Sequence, residues 1–249
     1  ELQEEGPEPG RGPRAPRGAR PEVAPGRVYA FGGFNGQEAL RSAECFDTTT
    51  GAWTKLPSMP GRRYHASVGV LKDLIFVCGG SDDGGVLQTV ECFDAARGAW
   101  QAVPPMSTPR SCAIAAVLAG RIYVCGGCVQ GREAVASAER FDPGAGAWQP
   151  LPPMASARAV ASAAVLLGRL TVCGGIGQRV LAASEWFDPA GKAWQQLPSL
   201  ASGRFFQAQA LHRAQLYACG GTDGQAALRS AERLDPRSWA WEALPAMAR

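Results

Sequence analysis

Residues 121–148, RIYVCGGCVQGREAVASAERFDPGAGAW, hold one copy of the pattern that decides the fold. Arg121–Cys125 is a short run of β-branched and aromatic residues that stops at Gly126-Gly127, a strand running into a turn. Ser137–Phe141 reads as a second short strand. It closes in Asp142-Pro143-Gly144, where the Asp side chain can accept from backbone N–H groups ahead of it and Pro and Gly set the turn. Trp148 opens a third strand, stopped by Pro152-Pro153, and Ala159–Leu166 reads as a fourth made largely of small residues. No stretch shows helical periodicity.

Working outward, the same pattern recurs four more times. Glycine pairs stand at Gly32-Gly33, Gly79-Gly80, Gly126-Gly127, Gly174-Gly175 and Gly220-Gly221, in steps of 47, 47, 48 and 46 residues. Each is followed by a Glu three residues before an Asp (Glu44, Glu91, Glu139, Glu185, Glu232) and by a Trp (Trp53, Trp100, Trp148, Trp194, Trp241). Ten residues after each of the first four Trp comes an Arg: Arg63, Arg110, Arg158 and Arg204. A repeat of four short antiparallel strands with this period predicts the blades of an all-β propeller. Counting strands gives three in the first blade and four in each of the next four.

Composition sets the frame for function. With 46% hydrophobic and 19% charged residues the chain can bury a large core, and no apolar run reaches the roughly 18 residues a membrane helix needs. A net charge of +3 does not argue for nucleic acid. Eight cysteines and no signal-like N-terminus predict reduced thiols in a cytoplasmic setting, with the nucleus also open. Residues 1–26 are rich in Pro, Gly and Arg and read as a disordered tail; 27–249 form the propeller, in repeats of about 27–61, 62–108, 109–156, 157–202 and 203–249. The chain opens at Glu1 without an initiator Met and is read as part of a longer protein.

The glycine pair after a strand, the Glu-x-x-Asp and Trp at fixed spacing, and Leu-Pro-x-Met at 56–59 and 151–154 resemble kelch repeats. Leu40-Arg-Ser-Ala-Glu-Cys-Phe-Asp47 resembles the kelch-like branch in particular. The resemblance implies a kelch β-propeller whose blades run from an Arg-led strand a to a Trp-bearing strand d. The first repeat here begins at strand b, as in a six-bladed propeller cut short, so an imperfectly closed ring is expected. It also implies a substrate receptor of a cullin-RING ubiquitin ligase, reaching the cullin through BTB and BACK domains that do not lie within these residues.

The spacings locate the expected binding surface. Arg to the second Gly is always seventeen residues, Glu to Asp three and Asp to Trp six; only the second Gly to Glu distance varies, from 10 to 12. Length variation therefore sits in the b–c loop, which leaves an up-and-down blade on the same face as the d–a connection. Variable loops on a fixed scaffold are how binding surfaces are built. The expected partner-binding residues are Phe34, Arg63, Tyr64, Ser81, Asp82, Arg110, Ser111, Cys128, Arg132, Arg158, Ile176, Arg179, Arg204, Phe205 and Thr222. The arginines on that face outnumber its acids and predict a protein or acidic peptide as ligand, with Phe34, Tyr64, Phe205 and Phe206 as aromatic anchors.

Other readings compete. The recurring Arg and Glu can instead pair between neighbouring blades, since a charge near a blade interface needs a partner. The five Trp are expected to pack between sheets. Cys125-Gly-Gly-Cys128 resembles a redox or zinc element, but Cys125 belongs to the register series Cys78, Cys125, Cys173, Cys219, and no second pair or nearby His completes a metal site, so neither metal nor other cofactor is expected. With only His65 and His212, and no assembled nucleophile and base, enzyme chemistry ranks below a stand-alone scaffold binding actin or another cytoskeletal protein.

Overall fold

The computed structural model describes residues 26–130 and 133–248, so the tail expected over 1–26 lies, save Gly26, outside the described residues. Among these the regular elements are twenty-one strands. Blade 1 holds β1 (Arg27–Phe31), β2 (Ala43–Asp47) and β3 (Ala52–Lys55). Blade 2 holds β4 (Ser67–Leu71), β5 (Leu74–Cys78), the small hairpin β6 (Ser81–Asp82) and β7 (Gly85–Val86), then β8 (Val90–Asp94) and β9 (Ala99–Val103). Blade 3 follows with β10 (Ile114–Leu118), β11 (Arg121–Cys125), β12 (Ala138–Asp142) and β13 (Ala147–Leu151). Blade 4 is β14 (Ser162–Leu166), β15 (Arg169–Cys173), β16 (Ser184–Asp188) and β17 (Ala193–Leu197); blade 5 is β18 (Ala208–His212), β19 (Gln215–Cys219), β20 (Ala231–Asp235) and β21 (Ala240–Leu244). Each blade is an antiparallel meander, three-stranded in blade 1 and four-stranded thereafter.

The blades stack through apolar faces. Between blades 2 and 3, Phe76, Cys78, Val90 and Cys92 meet Ile122, Val124 and Phe141; between blades 3 and 4, Tyr123, Cys125 and Ala138 meet Leu170, Val172 and Phe187. Blades 4 and 5 close Leu166 and Cys173 over Leu216, Ala218 and Leu234. On the two end blades these same register positions are open. Val28 is 53% exposed where its counterpart Ile122 is fully buried, and Cys219 is half-buried where Cys125 is buried. Those end faces have no neighbouring blade among the described residues.

The tryptophans lie where neighbouring sheets meet, as expected: Trp148, Trp194 and Trp241 pack against the cores of the blade interfaces, and the Phe31 ring of blade 1 meets Trp100 of blade 2 at 5.4 Å between centroids. Each sits on the outer strand, opposite an aromatic or Leu on strand c (Phe93↔Trp100, Phe141↔Trp148, Phe187↔Trp194, Leu234↔Trp241). Its indole Nε1–H reaches back to a proline carbonyl of the preceding blade: Trp100 to Pro57, Trp148 to Pro104 and Trp194 to Pro152 at 2.8 Å, Trp241 to Pro198 at 3.0 Å. They staple blade to blade at the rim and stay half exposed, because the polar end of an indole needs a partner and the rim supplies one. Trp53 has no preceding blade among the described residues and is 55% exposed.

The recurring arginines belong to the scaffold. Arg63, Arg110, Arg158 and Arg204 are 0–1% exposed. Each donates through one guanidinium nitrogen to the first carbonyl of its blade's glycine pair, as Arg158 does to Gly174 at 2.7 Å. The other terminal nitrogen meets the strand-c carboxylate of the same blade: Glu91 at 2.7 Å, Glu139 at 3.2 Å, Glu185 at 2.6 Å, Glu232 at 2.8 Å. The pair is thus within a blade, joining the incoming connection to strand c, and not between neighbouring blades. Each Glu also accepts backbone N–H groups of that connection, from Gly61, Ser107, Ala155 and Ala201. The Arg backbone carbonyl in turn accepts the N–H of the second glycine in the preceding blade, at 2.8–2.9 Å. A Cβ on Gly126 would stand 2.3 Å from the Arg158 carbonyl oxygen, so no side chain fits at that position.

Removing one partner leaves a buried charge uncompensated. Arg158→Ala is expected to cost about 3–5 kcal/mol, read as a large fall in the urea midpoint or loss of soluble protein. Arg62→Ala, which breaks the exposed Arg62–Glu38 pair, should change stability by less than about 1 kcal/mol.

Candidate functional site

The face carrying the b–c loops is assembled by short antiparallel bridges. The residue after each buried Arg pairs with the residue after each glycine pair: Tyr64↔Ser81, Ser111↔Cys128, Ala159↔Ile176 and Phe205↔Thr222. Both backbone bonds of each bridge are 2.7–3.0 Å long. Each b–c loop then folds back on itself, through Phe34↔Ala39, β6 with β7, Cys128↔Ala134, Ile176↔Val180 and Thr222↔Ala227. Tyr64, Ser81, Ser111, Cys128, Ile176, Phe205 and Thr222 are therefore brought together on one face, as expected from spacing. Asp82, Phe34 and Arg179 stand in the loops beside them, and Arg132 lies outside the described residues.

One residue further on, the backbone turns left-handed in every blade that has a strand a. His65, Cys112, Val160 and Phe206 have φ of 54°, 52°, 52° and 56°. Their peptides form a chain round the axis: the N–H of Cys112 donates to the His65 carbonyl, Val160 to Cys112 and Phe206 to Val160, at 2.9, 3.0 and 3.3 Å. A β-branched or aromatic residue at positive φ is uncommon and costs energy that the surrounding bonds must offset. Cys112 and Val160 were not picked out by sequence reasoning. Their position, two after the Arg, is periodic, but nothing in a Val or Cys announces a left-handed backbone.

The aromatic anchors are where a partner can reach them. Phe34 is 54% and Phe206 66% exposed. Phe34 and Tyr64 lie 5.4 Å apart by ring centroid, Tyr64 and His65 5.0 Å, Phe205 and Phe206 5.3 Å. The arginines fare differently. Arg63, Arg110, Arg158 and Arg204 are buried against carboxylates and cannot grip a ligand, so four of the expected contact residues drop out. Among the described residues what remains at the surface is balanced: Arg41, Arg62, Arg179 and Arg229 stand among Glu38, Asp82, Asp83, Glu133 and Asp223. The positive surplus expected to select an acidic peptide rested on buried groups that are already neutralised.

The cysteine series is explained by register. Cys78, Cys125 and Cys173 end strand b and face the next blade, where burial pushes each thiol up to about 12. Cys128 sits on the loop face, half-buried and bridged to Ser111 and Ala134. The C-x-x-C spacing thus places one thiol in a blade interface and the other on the loop face.

Repeated four-stranded antiparallel blades round an axis, with loops gathered on one face, define a β-propeller. The chain matches the family model described as the KLHDC2/KLHL20/DRC7 Kelch-repeats domain over residues 26–221, and that of the Kelch motif over residues 212–248. It belongs to the kelch-repeat family. A curated relative, the Influenza virus NS1A-binding protein homolog of Xenopus laevis, is 38% identical over 52 residues; the match spans 21% of this chain and 8% of that protein. A solved structure titled "Structure of YjhT" superposes with a TM-score of 0.67 at 17% identity, over 78% of this chain and 68% of that one, which shows the fold.

A thiol held far above its ordinary range by burial is inert, since the thiolate is the nucleophile. Iodoacetamide at about pH 8 should therefore leave Cys78, Cys125 and Cys173 of the native chain unmodified and label the half-buried Cys219. Peptide mass mapping should find all of them labelled once guanidinium chloride unfolds the protein.

Proposed function

We propose that this kelch propeller is the substrate-recognition module of a cullin-RING ubiquitin-ligase adaptor, taking a partner protein on the b–c and d–a loop face. The observation that carries the reading is the construction of that face. Invariant buried Arg–Glu pairs hold each d–a connection, and the loops bridged to those connections are the parts that vary in length and side chain. A rigid scaffold under changing loops suits selective recognition of one protein surface among many. Exposed Phe34 and Phe206 supply the aromatic anchors that dominate protein interfaces. The ligase role draws on the kelch-like resemblance of residues 40–47 and on the matched family model. It needs cullin-binding domains outside residues 26–248, and a cytoplasmic or nuclear setting.

The test is quantitative capture from cells with the wild-type protein, a Phe34→Ala/Phe206→Ala variant, and an Arg97→Glu variant altered on the opposite face. Loss of both anchors should weaken capture of the bound proteins by roughly 30-fold or more, from about 2 kcal/mol for a central aromatic, and slow their ubiquitin-dependent turnover. The Arg97 variant should behave as wild type. Capture lost with Arg97→Glu but kept without the two phenylalanines would place the working surface elsewhere.

A further inference from the structure

The loop face carries a pocket at the junction of blades 2 and 3, of about 530 Å³, whose chemistry is opposite to that expected from counting arginines. Tyr64 and His65 line it on one side, Ser81 and Asp82 come from the β6–β7 hairpin, and Ser111 and Gln130 from blade 3. Among the described residues no Lys or Arg lines it. The guanidiniums of Arg63 and Arg110 are buried and already matched by Glu91 and Glu139.

Three features of the lining ask for a cation. Asp82 accepts the N–H groups of Gly84 and Gly85 through Oδ1, at 2.8 and 3.0 Å, while no described donor engages Oδ2. Ser81, whose two backbone groups are both bridged to Tyr64, adds a hydroxyl to the lining. The Tyr64 ring, flanked by Phe34 and His65, adds an aromatic wall. A carboxylate oxygen and a hydroxyl oxygen to accept its N–H groups and an aromatic surface to stack on are what a guanidinium needs, and its planar fork and weak hydration suit it better than an ammonium. The hairpin that offers Asp82 is held close to blade 3, since a Cβ on Gly85 would meet the Gln130 side chain at 3.3 Å.

We infer that this pocket is the subsite for a basic side chain, arginine above lysine, of the partner protein. This deepens the loop-face reading and rests on it. The probe is N-acetyl-arginine methylamide, titrated into the isotopically labelled 249-residue chain and followed by NMR. Saturable shifts at Tyr64, Ser81 and Asp82 with millimolar affinity are expected, stronger than those given by the lysine analogue. The uncharged citrulline analogue and the glutamate analogue should give none. Asp82→Asn keeps an oxygen for the Gly84 and Gly85 turn while removing the charge, and should weaken the probe at least fivefold; Tyr64→Ala should weaken it at least threefold.

Equal binding of citrulline, wild-type binding by Asp82→Asn, or shifts confined to another part of the propeller overturns the assignment. The probe needs no protein partner, so the two readings fail separately. A bound, Asp82-dependent arginine amide alongside unchanged capture by the Phe34/Phe206 variant would keep the pocket and remove the loop-face partner.

Discussion

A guanidinium buried in each of blades 2 to 5 is the constraint on which the rest of the propeller depends. Taking an arginine wholly out of water is costly unless its nitrogens and its charge are met. Here one terminal nitrogen is met by the carbonyl of the glycine pair and the other by the strand-c glutamate. The carboxylate then reaches back to the backbone of the connection entering the blade. The match is incomplete: Nε of Arg63, Arg158 and Arg204 has no partner among the described residues. An imperfectly satisfied buried pair contributes little net stability, although breaking it strands a buried charge. It admits one path for the connection and one register for strand c.

That single path explains why the other repeated residues are what they are. The arginine carbonyl docks on the glycine pair of the blade before it, so the first of those glycines can carry no side chain and takes positive φ. The strand that ends there delivers its last residue into the blade interface, where Cys78, Cys125 and Cys173 are buried. At the rim the tryptophan donates to a proline carbonyl of the preceding blade. Glycine docking and indole staple each link one blade to the next, and the charge pair fixes the connection within each blade, so the order that results is local and repetitive. Blade 1 shows the consequence at its outer face, where Trp53 and Val28 stand exposed.

The same constraint shapes the binding face by subtraction. Because the arginines are consumed by the scaffold, the surface above them is set by the variable loops. Phe34 in the blade 1 loop and Tyr64, Phe205 and Phe206 in the d–a connections supply the aromatics, with a near balance of charge among the described residues between them. Recognition on such a face follows from shape and a few placed groups, with net charge steering little.

The repeat, the strand content and the loop-bearing face were legible in the residues because each depends on local spacing. Ser162–Leu166 and Arg121–Cys125 fold as strands for reasons their own β-branched and small residues contain, and seventeen residues from Arg to Gly is a length that sequence displays. What Arg63, Arg110, Arg158 and Arg204 do was not legible, since a guanidinium can serve a ligand or a scaffold equally well. Only the packing of the connection over strand c, residues roughly thirty positions apart, decides that it is buried. The left-handed turn at Val160 and the Asp82 oxygen with no donor among the described residues were hidden for the same reason. Sequence sets what each segment can form by itself; burial, and with it the sign and reach of every charge, exists only once distant segments exclude water from one another.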